Sequence, residues 1–166
     1  MRKWLVISVV VLVLAVGLPR PAGATAPAEY IVTFTVVSGQ SVTCQSQSKA
    51  HSCASYRAVL AGDIVGSARG TEDDVPHADG MMTIHGRFTC ACTVAGHSGS
   101  LTMKYVGTVY IVQVNIRGAR VTRSAVAGID VIVGGTGGLA NLHGQGPFLG
   151  NDSAVTKDLF LHFGPS

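Results

Sequence analysis

The sequence predicts an all-β protein, a single eight-stranded antiparallel β-barrel, with a β-sandwich as the alternative architecture. Apolar and polar residues alternate with a period of two in several runs after residue 24, and no run sustains the 3.6-residue period of an amphipathic helix. Glycine or another turn former bounds each alternating run. Strands joined by tight turns, without helical crossovers, form antiparallel sheets that close into a barrel or fold into a sandwich.

The alternating runs place eight strands along the chain. They are expected near residues 29–38, 54–61, 63–70, 81–94, 100–109, 110–117, 119–127 with 129–134, and 156–163. Residues 71–80 form the clearest predicted loop. Apolar residues of one parity share a face in several of these runs: Tyr30, Val32, Phe34 and Val36; Met82, Ile84, Phe88, Cys90, Cys92 and Val94; Val106, Tyr110, Val112, Val114 and Ile116; Val121, Ile129 and Val131; Leu159, Leu161 and Phe163. The face with Met82, Ile84 and Phe88 is expected to point away from solvent, and the alternation leaves the lumen-facing residues of the other strands open.

The first 24 residues have the layout of a secretory signal peptide of the bacterial type. A basic head precedes an apolar run at residues 4–18, which is shorter than the roughly 20 residues that span a bilayer. The small residues Ala22, Gly23 and Ala24 then supply a cleavage site, so the mature protein is expected to begin at Thr25. An uncleaved anchor is the alternative. The sequence therefore predicts a secreted, extracellular protein that keeps no membrane span.

Removal of this leader changes the charge of the chain. The formal net charge of +3 is due to Arg2, Lys3 and Arg20, all within the leader, so residues 25–166 are formally neutral. A neutral chain lacks the basic surface that neutralises phosphates, and nucleic acid is not expected as a partner. Residues 25–166 are long enough for one domain with its own core.

Four cysteines follow the leader, and an even number predicts disulfide bonds in an exported protein. Cys90 and Cys92 lie two residues apart on one predicted strand, and a bridge between them would require a kink. The favoured pairing therefore joins each of them to Cys44 or Cys53, with a local Cys44–Cys53 bridge as the alternative. The spacings C-x₈-C and C-x-C do not match the knuckles of structural zinc sites.

The most distinctive segment covers residues 131–150, where a strand runs into a glycine-rich turn and a second, short strand. The turn consists of Gly134, Gly135, Thr136, Gly137 and Gly138. Together with residues 142–146 it resembles the hairpin of allene oxide cyclase-like and dirigent-like barrels, most closely that of bacterial secreted members. Weaker matches extend the resemblance over residues 54–163: Gly86-Arg87-Phe88, His97-Ser98-Gly99-Ser100-Leu101, Gly107-Thr108-Val109 and the strand at 159–163.

The resemblance implies an eight-stranded barrel with an apolar lumen that opens at one end. Proteins of this group steer reactive lipid epoxides, phenolic radicals or polyketides without a cofactor, because the barrel supplies shape and excludes water. No catalytic residue of those proteins can be placed on this chain. A non-enzymatic protein that binds a small apolar molecule is therefore the first hypothesis. A cofactor-free cyclase or isomerase acting on a lipid or polyketide-like substrate is the second, and a structural protein with a filled barrel is the third.

Residues 135–140 also fit the G-x-G-x-x-A pattern of a dinucleotide loop. Such a loop must open a helix whose N-terminus meets the pyrophosphate. Asn141, Gly144, Gly146 and Pro147 disfavour that helix, so the glycines are expected to serve a tight turn.

Two further sets of side chains have metal-ligating chemistry. The acidic set is predicted to be a solvated loop, because it lacks the spacing of an EF-hand: Glu72, Asp73, Asp74, His77 and Asp79. The second set suits copper only if the cysteines are reduced: His51, His85, His97, Cys90 and Cys92. No metal or cofactor site is therefore predicted. His85 and Arg87 are expected on the solvent face of their strand, although a lumen position would make His85 a candidate general acid.

Overall fold

A computed structural model of the chain describes residues 23–44, 51–116 and 119–165, and for residues 112, 114–116 and 119–123 it describes the backbone alone. The chain forms eight strands: β1 (Ala28–Val42), β2 (Ser52–Gly62), β3 (Ile64–Pro76), β4 (Met81–Val94), β5 (His97–Ile116), β6 (Ala119–Gly137), β7 (Leu142–Gly150) and β8 (Ala154–Phe163). No helix in these residues has the length and apolarity needed to cross a membrane.

The strands form one closed antiparallel barrel, which confirms the predicted fold class. Each strand pairs with its neighbours in sequence, and β1 closes the ring by pairing with β8. Val32 on β1 lies opposite Lys157 on β8, and that register places Phe34 opposite Val155. Closure gives every strand a paired neighbour on both sides, and in the described residues the β5–β6 hairpin extends beyond β4 and β7 at residues 111–116 and 119–125.

Three strands differ from the predicted segmentation. The two strands predicted at 100–109 and 110–117 are one continuous strand, β5, and β7 is the short strand that follows the glycine-rich turn. The predicted loop at 71–80 is mostly strand, because β3 continues to Pro76 and stays paired with β4. Only residues 77–80 connect β3 to β4. The acidic residues Glu72, Asp73 and Asp74 do not end β3, because at these positions the strand stays paired with both β2 and β4.

The apolar faces that the sequence shows point into the barrel on β1 and β4 and outward on β5 and β6. Val32 and Phe34 are buried on β1, and Ile84 and Phe88 are buried on β4, where the inner face was predicted. On β5 and β6 the interior parity is the opposite one: Leu101, Met103, Tyr105, Val109, Val126, Asp130 and Ile132 are buried. The apolar residues of the other parity lie on the outer surface, with Val106 47%, Tyr110 44%, Ile129 51% and Val131 39% exposed. The side chains of Val112, Val114, Ile116 and Val121 lie outside the described part of the structure. Apolar residues thus occur on both faces of β5 and β6, so alternation did not identify the inside.

The barrel has a closed end and an open end. The closed end carries the connections at residues 95–96 and 138–141, and the open end carries those at 77–80 and 151–153. Buried apolar side chains fill the lumen toward the closed end: Ile64, Cys90, Val94, Leu101, Met103, Leu139, Leu142, Leu159 and Leu161. Packing of this kind contributes about 1.5–3 kcal/mol for each large apolar side chain.

All four cysteines form disulfides, but the favoured pairing was wrong. The bonds join Cys44 to Cys53 and Cys90 to Cys92. Val42 lies opposite Cys53, which brings Cys44 beside Cys53 at the open end of the β1–β2 pair. Cys90 and Cys92 both point into the packed part of the lumen, and their Cα atoms are 5.5 Å apart, closer than the about 6.6 Å of a fully extended strand.

The glycine-rich segment ends β6 and leads into the turn to β7. Gly134, Gly135, Thr136 and Gly137 are strand residues paired with β5, so of the predicted turn only Gly138 lies in the connection at residues 138–141. Gly137 has a positive φ of 61°, and the amide groups of Leu139 and Ala140 donate to the carbonyl groups of Thr136 and Gly137. The turn projects Leu139 into the closed end of the barrel, where it is fully buried. A strand, β7, follows this turn, so the helix that a dinucleotide loop requires is absent from residues 138–150.

Replacement of Gly137 by Val is expected to lower the free energy of unfolding by about 1–3 kcal/mol, because a β-branched side chain is strained at positive φ. Gly134→Val on the same segment is the matched control. Gly134 has an ordinary φ, and no neighbouring atom lies within 4 Å of the point where its Cβ would stand, so its change should stay within about 0.5 kcal/mol. Urea unfolding of both variants tests the turn, and equal stabilities would contradict this role for Gly137.

Candidate functional site

A cavity of about 410 Å³ occupies the half of the lumen toward the open end. Apolar side chains form most of its wall: Phe34, Val36, Met82, Ile84, Phe88, Val109, Val126, Phe148 and Val155. The polar side chains of the wall belong mainly to five residues: Tyr56, Glu72, Asp74, Tyr105 and Lys157. The lumen is therefore packed at one end and hollow at the other, and these ionisable groups lie in its hollow half.

Two glycines on the barrel wall allow the tyrosine rings to lie flat against it. Gly86 lies opposite Tyr105 in the β4–β5 ladder, and Gly70 lies opposite Tyr56 in the β2–β3 ladder. A Cβ atom at either glycine would overlap the ring of its tyrosine partner. The two tyrosine rings consequently lie over the glycines. They leave free the part of the cavity that they would fill if they pointed toward its centre.

The deepest polar feature of the cavity is an ion pair between Lys157 and Asp130. Lys157 Nζ donates a hydrogen bond of 2.7 Å to Asp130 Oδ2. Lys157 is 3% exposed and Asp130 is fully buried, and the two residues lie on β8 and β6, on either side of β7. Lys157 lines the cavity, whereas Asp130 lies behind it. Asp130 Oδ1 has no hydrogen-bond partner in the described part of the chain, so the carboxylate depends on Lys157.

Four aromatic rings surround the ammonium group of Lys157. Its Nζ atom lies 4.7 Å from the centroid of Phe34, 4.8 Å from Phe148, 5.2 Å from Phe88 and 5.9 Å from Tyr105. Each ring face carries negative charge density that attracts a cation at such distances. We call this arrangement, Lys157 with Asp130 and the four rings, the lysine box.

Burial opposes both charges of the lysine box. It lowers the pKa of Lys157 and raises the pKa of Asp130, and the hydrogen-bonded partner partly offsets each shift. Two charges in an apolar interior are stable together only if their mutual geometry is good. Burial therefore brings the pKa of Lys157 and the pKa of Asp130 closer together, and the proton shared by these groups lies in the hydrogen bond between Nζ and Oδ2.

A second polar group lies nearer the open end, on the β2, β3 and β5 side of the cavity. The hydroxyl of Tyr105 donates a hydrogen bond of 2.7 Å to Glu72 Oε2. Burial is the main cause that raises the pKa of both Glu72 and the neighbouring Asp74, and each is also influenced by the other. Burial also raises the pKa of Tyr56 and Tyr105, so both phenols remain protonated donors. This group combines proton donors with carboxylates that are more readily protonated than in water.

The structure separates the residues of the two sets that have metal-ligating chemistry. Of the acidic set, Glu72 and Asp74 face the cavity, Asp73 forms a 3.0 Å contact with His51 outside it, and His77 and Asp79 lie at the β3–β4 connection. Asp73 also lies near the sulfurs of Cys44 and Cys53, but a disulfide offers no thiolate to a metal.

The copper set is not assembled either. Cys90 and Cys92 are buried in the lumen, whereas His85 and His97 are exposed. His85 and Arg87 lie on the solvent face of β4, as the alternation predicted. The ring of His97 lies beside that of Phe163 at the closed end, with the two ring centroids 4.7 Å apart and the ring planes tilted.

Sequence reasoning missed Lys157 and Asp130, which form the centre of the site. Each breaks an otherwise apolar inward parity: Lys157 is in phase with Leu159 and Leu161, and Asp130 is in phase with Val126 and Ile132. An oppositely charged pair on the inward parity of two strands was the available signal. It could not be used because the sequence did not reveal which parity of β6 faces the lumen.

Comparison with known proteins assigns no activity to the chain. No protein-family model matches the chain, and no curated protein matches it. Among solved structures, it is similar to a β-barrel-like protein from Acinetobacter baumannii AYE, with 10% identity, a TM-score of 0.46, and coverage of 87% of this chain and 99% of the other. The barrel architecture rests on the strand pairing of this chain itself, and the allene oxide cyclase-like resemblance stays a hypothesis.

Removal of one partner of the ion pair is expected to destabilise the barrel more than removal of both. Lys157→Met and Asp130→Leu should each lower the free energy of unfolding by about 3–5 kcal/mol, because each leaves a buried charge without its partner. The double variant should recover most of that loss, because apolar side chains can fill the same space. Chemical unfolding of the four proteins gives the coupling energy, and additive losses would show that the pair does not act as a unit.

Glu72→Gln is expected to stabilise the protein in a pH-dependent way. The folded-state pKa of Glu72 is raised, so the stability due to its protonated form is present at acidic pH and is lost as the pH rises through that pKa. The substituted amide keeps an acceptor for the Tyr105 hydroxyl and cannot ionise. The gain in melting temperature should therefore be larger at about pH 8 than at about pH 4. Glu29→Gln, at an exposed position on β1, is the control, and an equal gain at both pH values would refute the assignment.

Proposed function

We propose that this protein is a secreted β-barrel that binds a small, mostly apolar molecule in the open half of its lumen. The cavity of about 410 Å³ supports this proposal most directly. Its volume falls within the roughly 300–1,000 Å³ of small-molecule sites, which combine apolar walls with a few convergent polar groups. A structural barrel with a filled lumen does not require charged groups around an internal cavity. The ionisable residues of this cavity wall therefore favour ligand binding over a purely structural role.

The polar groups of the cavity define what such a ligand must carry. Aromatic and aliphatic side chains favour an apolar body, and the lysine box offers a cationic hydrogen-bond donor at the deep end. Glu72, Asp74 and Tyr105 offer donors and acceptors nearer the opening. An apolar molecule with a hydrogen-bonding group at its leading end matches this arrangement.

Secretion is part of the same proposal. The signal-peptide layout of residues 1–24 supports export, although residues 1–22 lie outside the described part of the structure. The two disulfides are compatible with an oxidising compartment. A ligand outside the cell would reach the cavity through the open end of the barrel.

A cofactor-free cyclase or isomerase related to the allene oxide cyclase-like group is the second candidate. It is favoured by Glu72, whose raised pKa and hydrogen bond from Tyr105 suit a general acid beside an apolar cavity. Under this candidate, Glu72→Gln would abolish turnover while binding persists. If the protein only binds its ligand, the wild type shows no turnover and Glu72→Gln cannot lower it.

A matched pair of tryptophan substitutions on β6 tests where the ligand binds. Val126 lines the cavity and is 5% exposed, whereas Ile129 lies on the outer surface and is 51% exposed. Val126→Trp should fill the cavity and weaken binding of the neutral fluorophore phenylnaphthylamine by about tenfold or more. Ile129→Trp should bind it like the wild type. Titrations followed by fluorescence decide the question, and unchanged binding by a folded Val126→Trp would refute the lumen as the site.

A further inference from the structure

Lys157 offers the cavity a primary amine. Of the two lysines in the described residues, Lys104 is exposed on the outer surface of β5 and Lys157 alone lines the cavity. The Nζ atom of Lys157 is bonded to a carboxylate at 2.7 Å, enclosed by aromatic rings and shielded from bulk water. An amine beside a proton acceptor in an apolar pocket is the arrangement that makes lysine a nucleophile toward carbonyl carbon.

We propose that Lys157 Nζ forms a reversible imine with an aldehyde or ketone ligand held in this cavity. The proposal rests on the proposed binding function and specifies its ligand class. An apolar carbonyl compound satisfies both parts of the cavity, because its body suits the aromatic walls and its polar end reaches Nζ.

The reaction balances with the groups present. The ammonium of Lys157 passes one proton to Asp130 Oδ2, and the free electron pair on nitrogen forms a C–N bond while the carbonyl π pair moves to oxygen. The oxygen takes up two protons that were on nitrogen, one of them through Asp130, and leaves as water when the nitrogen pair forms the C=N bond. One proton stays on nitrogen, so the product is a protonated imine and water, with the charge of the original ammonium conserved.

The surroundings of Nζ suit both the reactant and the product. Asp130 on β6 accepts the proton, and burial, which lowers the pKa of Lys157, favours the free amine that must attack. The protonated imine has the same charge as the ammonium, so it keeps Asp130 as its counter-ion and the four rings as its cation–π partners. The remaining ionisable groups of the wall lie on β2, β3 and β5, with one more at the β7–β8 connection: Tyr56, Glu72, Asp74, Tyr105 and Asp152.

Two probes of the same shape test the proposal on the full mature protein. Naphthaldehyde carries the carbonyl group, and naphthalenemethanol carries a hydroxyl in its place. Each is titrated alone, and naphthaldehyde is also incubated with cyanoborohydride, which reduces an imine to a stable secondary amine. Peptide mapping by mass spectrometry then locates the label among Lys49, Lys104 and Lys157.

The expected result is labelling at Lys157 about tenfold or more faster than at the exposed Lys104, together with tighter binding of the aldehyde than of the alcohol. Lys104→Met is the control and should leave labelling at Lys157 unchanged. Lys157→Met should lose the label, and Lys157→Arg, which keeps the positive charge but cannot form an imine, is the second variant if Lys157→Met does not fold.

The outcomes separate this inference from the proposed function. If both probes bind with equal affinity and Lys157 is labelled no faster than Lys104, the imine is refuted and the binding function stands. If neither probe binds the folded protein, the cavity is not a site for apolar molecules of this size, and both proposals fail. Labelling at Lys157 that excess naphthalenemethanol suppresses supports both.

Discussion

The buried ion pair between Lys157 and Asp130 is the constraint on which the hollow half of this barrel depends. Two charges inside an apolar lumen are tolerated only because they are 2.7 Å apart and because aromatic rings face the ammonium group. Apolar residues of similar volume would serve stability as well or better. A buried ion pair whose lysine lines a cavity is therefore better explained by ligand binding than by the stability of the fold.

The two halves of the lumen on either side of that pair differ in their packing. Toward the closed end, the lumen is filled by aliphatic side chains, the Cys90–Cys92 disulfide and Leu139 from the glycine-rich turn. Toward the open end, Gly86 and Gly70 let two tyrosine rings lie against the wall. The closed half of the barrel is thus a packed core and the open half is a cavity. The lysine box lies at the boundary between them.

The sequence predicted the barrel because strand alternation and turn glycines are local signals that closure does not alter. It predicted the inward face of β4, where polar residues such as Arg87 mark the outside. It left the inward faces of β5 and β6 open, because Val106, Ile129 and Val131 make the outer surface apolar there and parity alone cannot then distinguish the two faces. The role of Asp130 was missed for that reason, and the cavity-facing position of Glu72 was missed because residues 71–80 were predicted to form a loop.

Nuclear magnetic resonance of the lysine side chains would test the central claim, that a ligand in the lumen contacts the lysine box. With ¹⁵N-labelled lysine, the Nζ signal of Lys157 should be shifted from that of the exposed Lys104 by its buried pairing with Asp130. Addition of phenylnaphthylamine should move the Lys157 signal and leave the Lys104 signal in place. If the probe saturates the protein while the Lys157 signal does not move, the ligand binds elsewhere and the role assigned to this cavity is wrong.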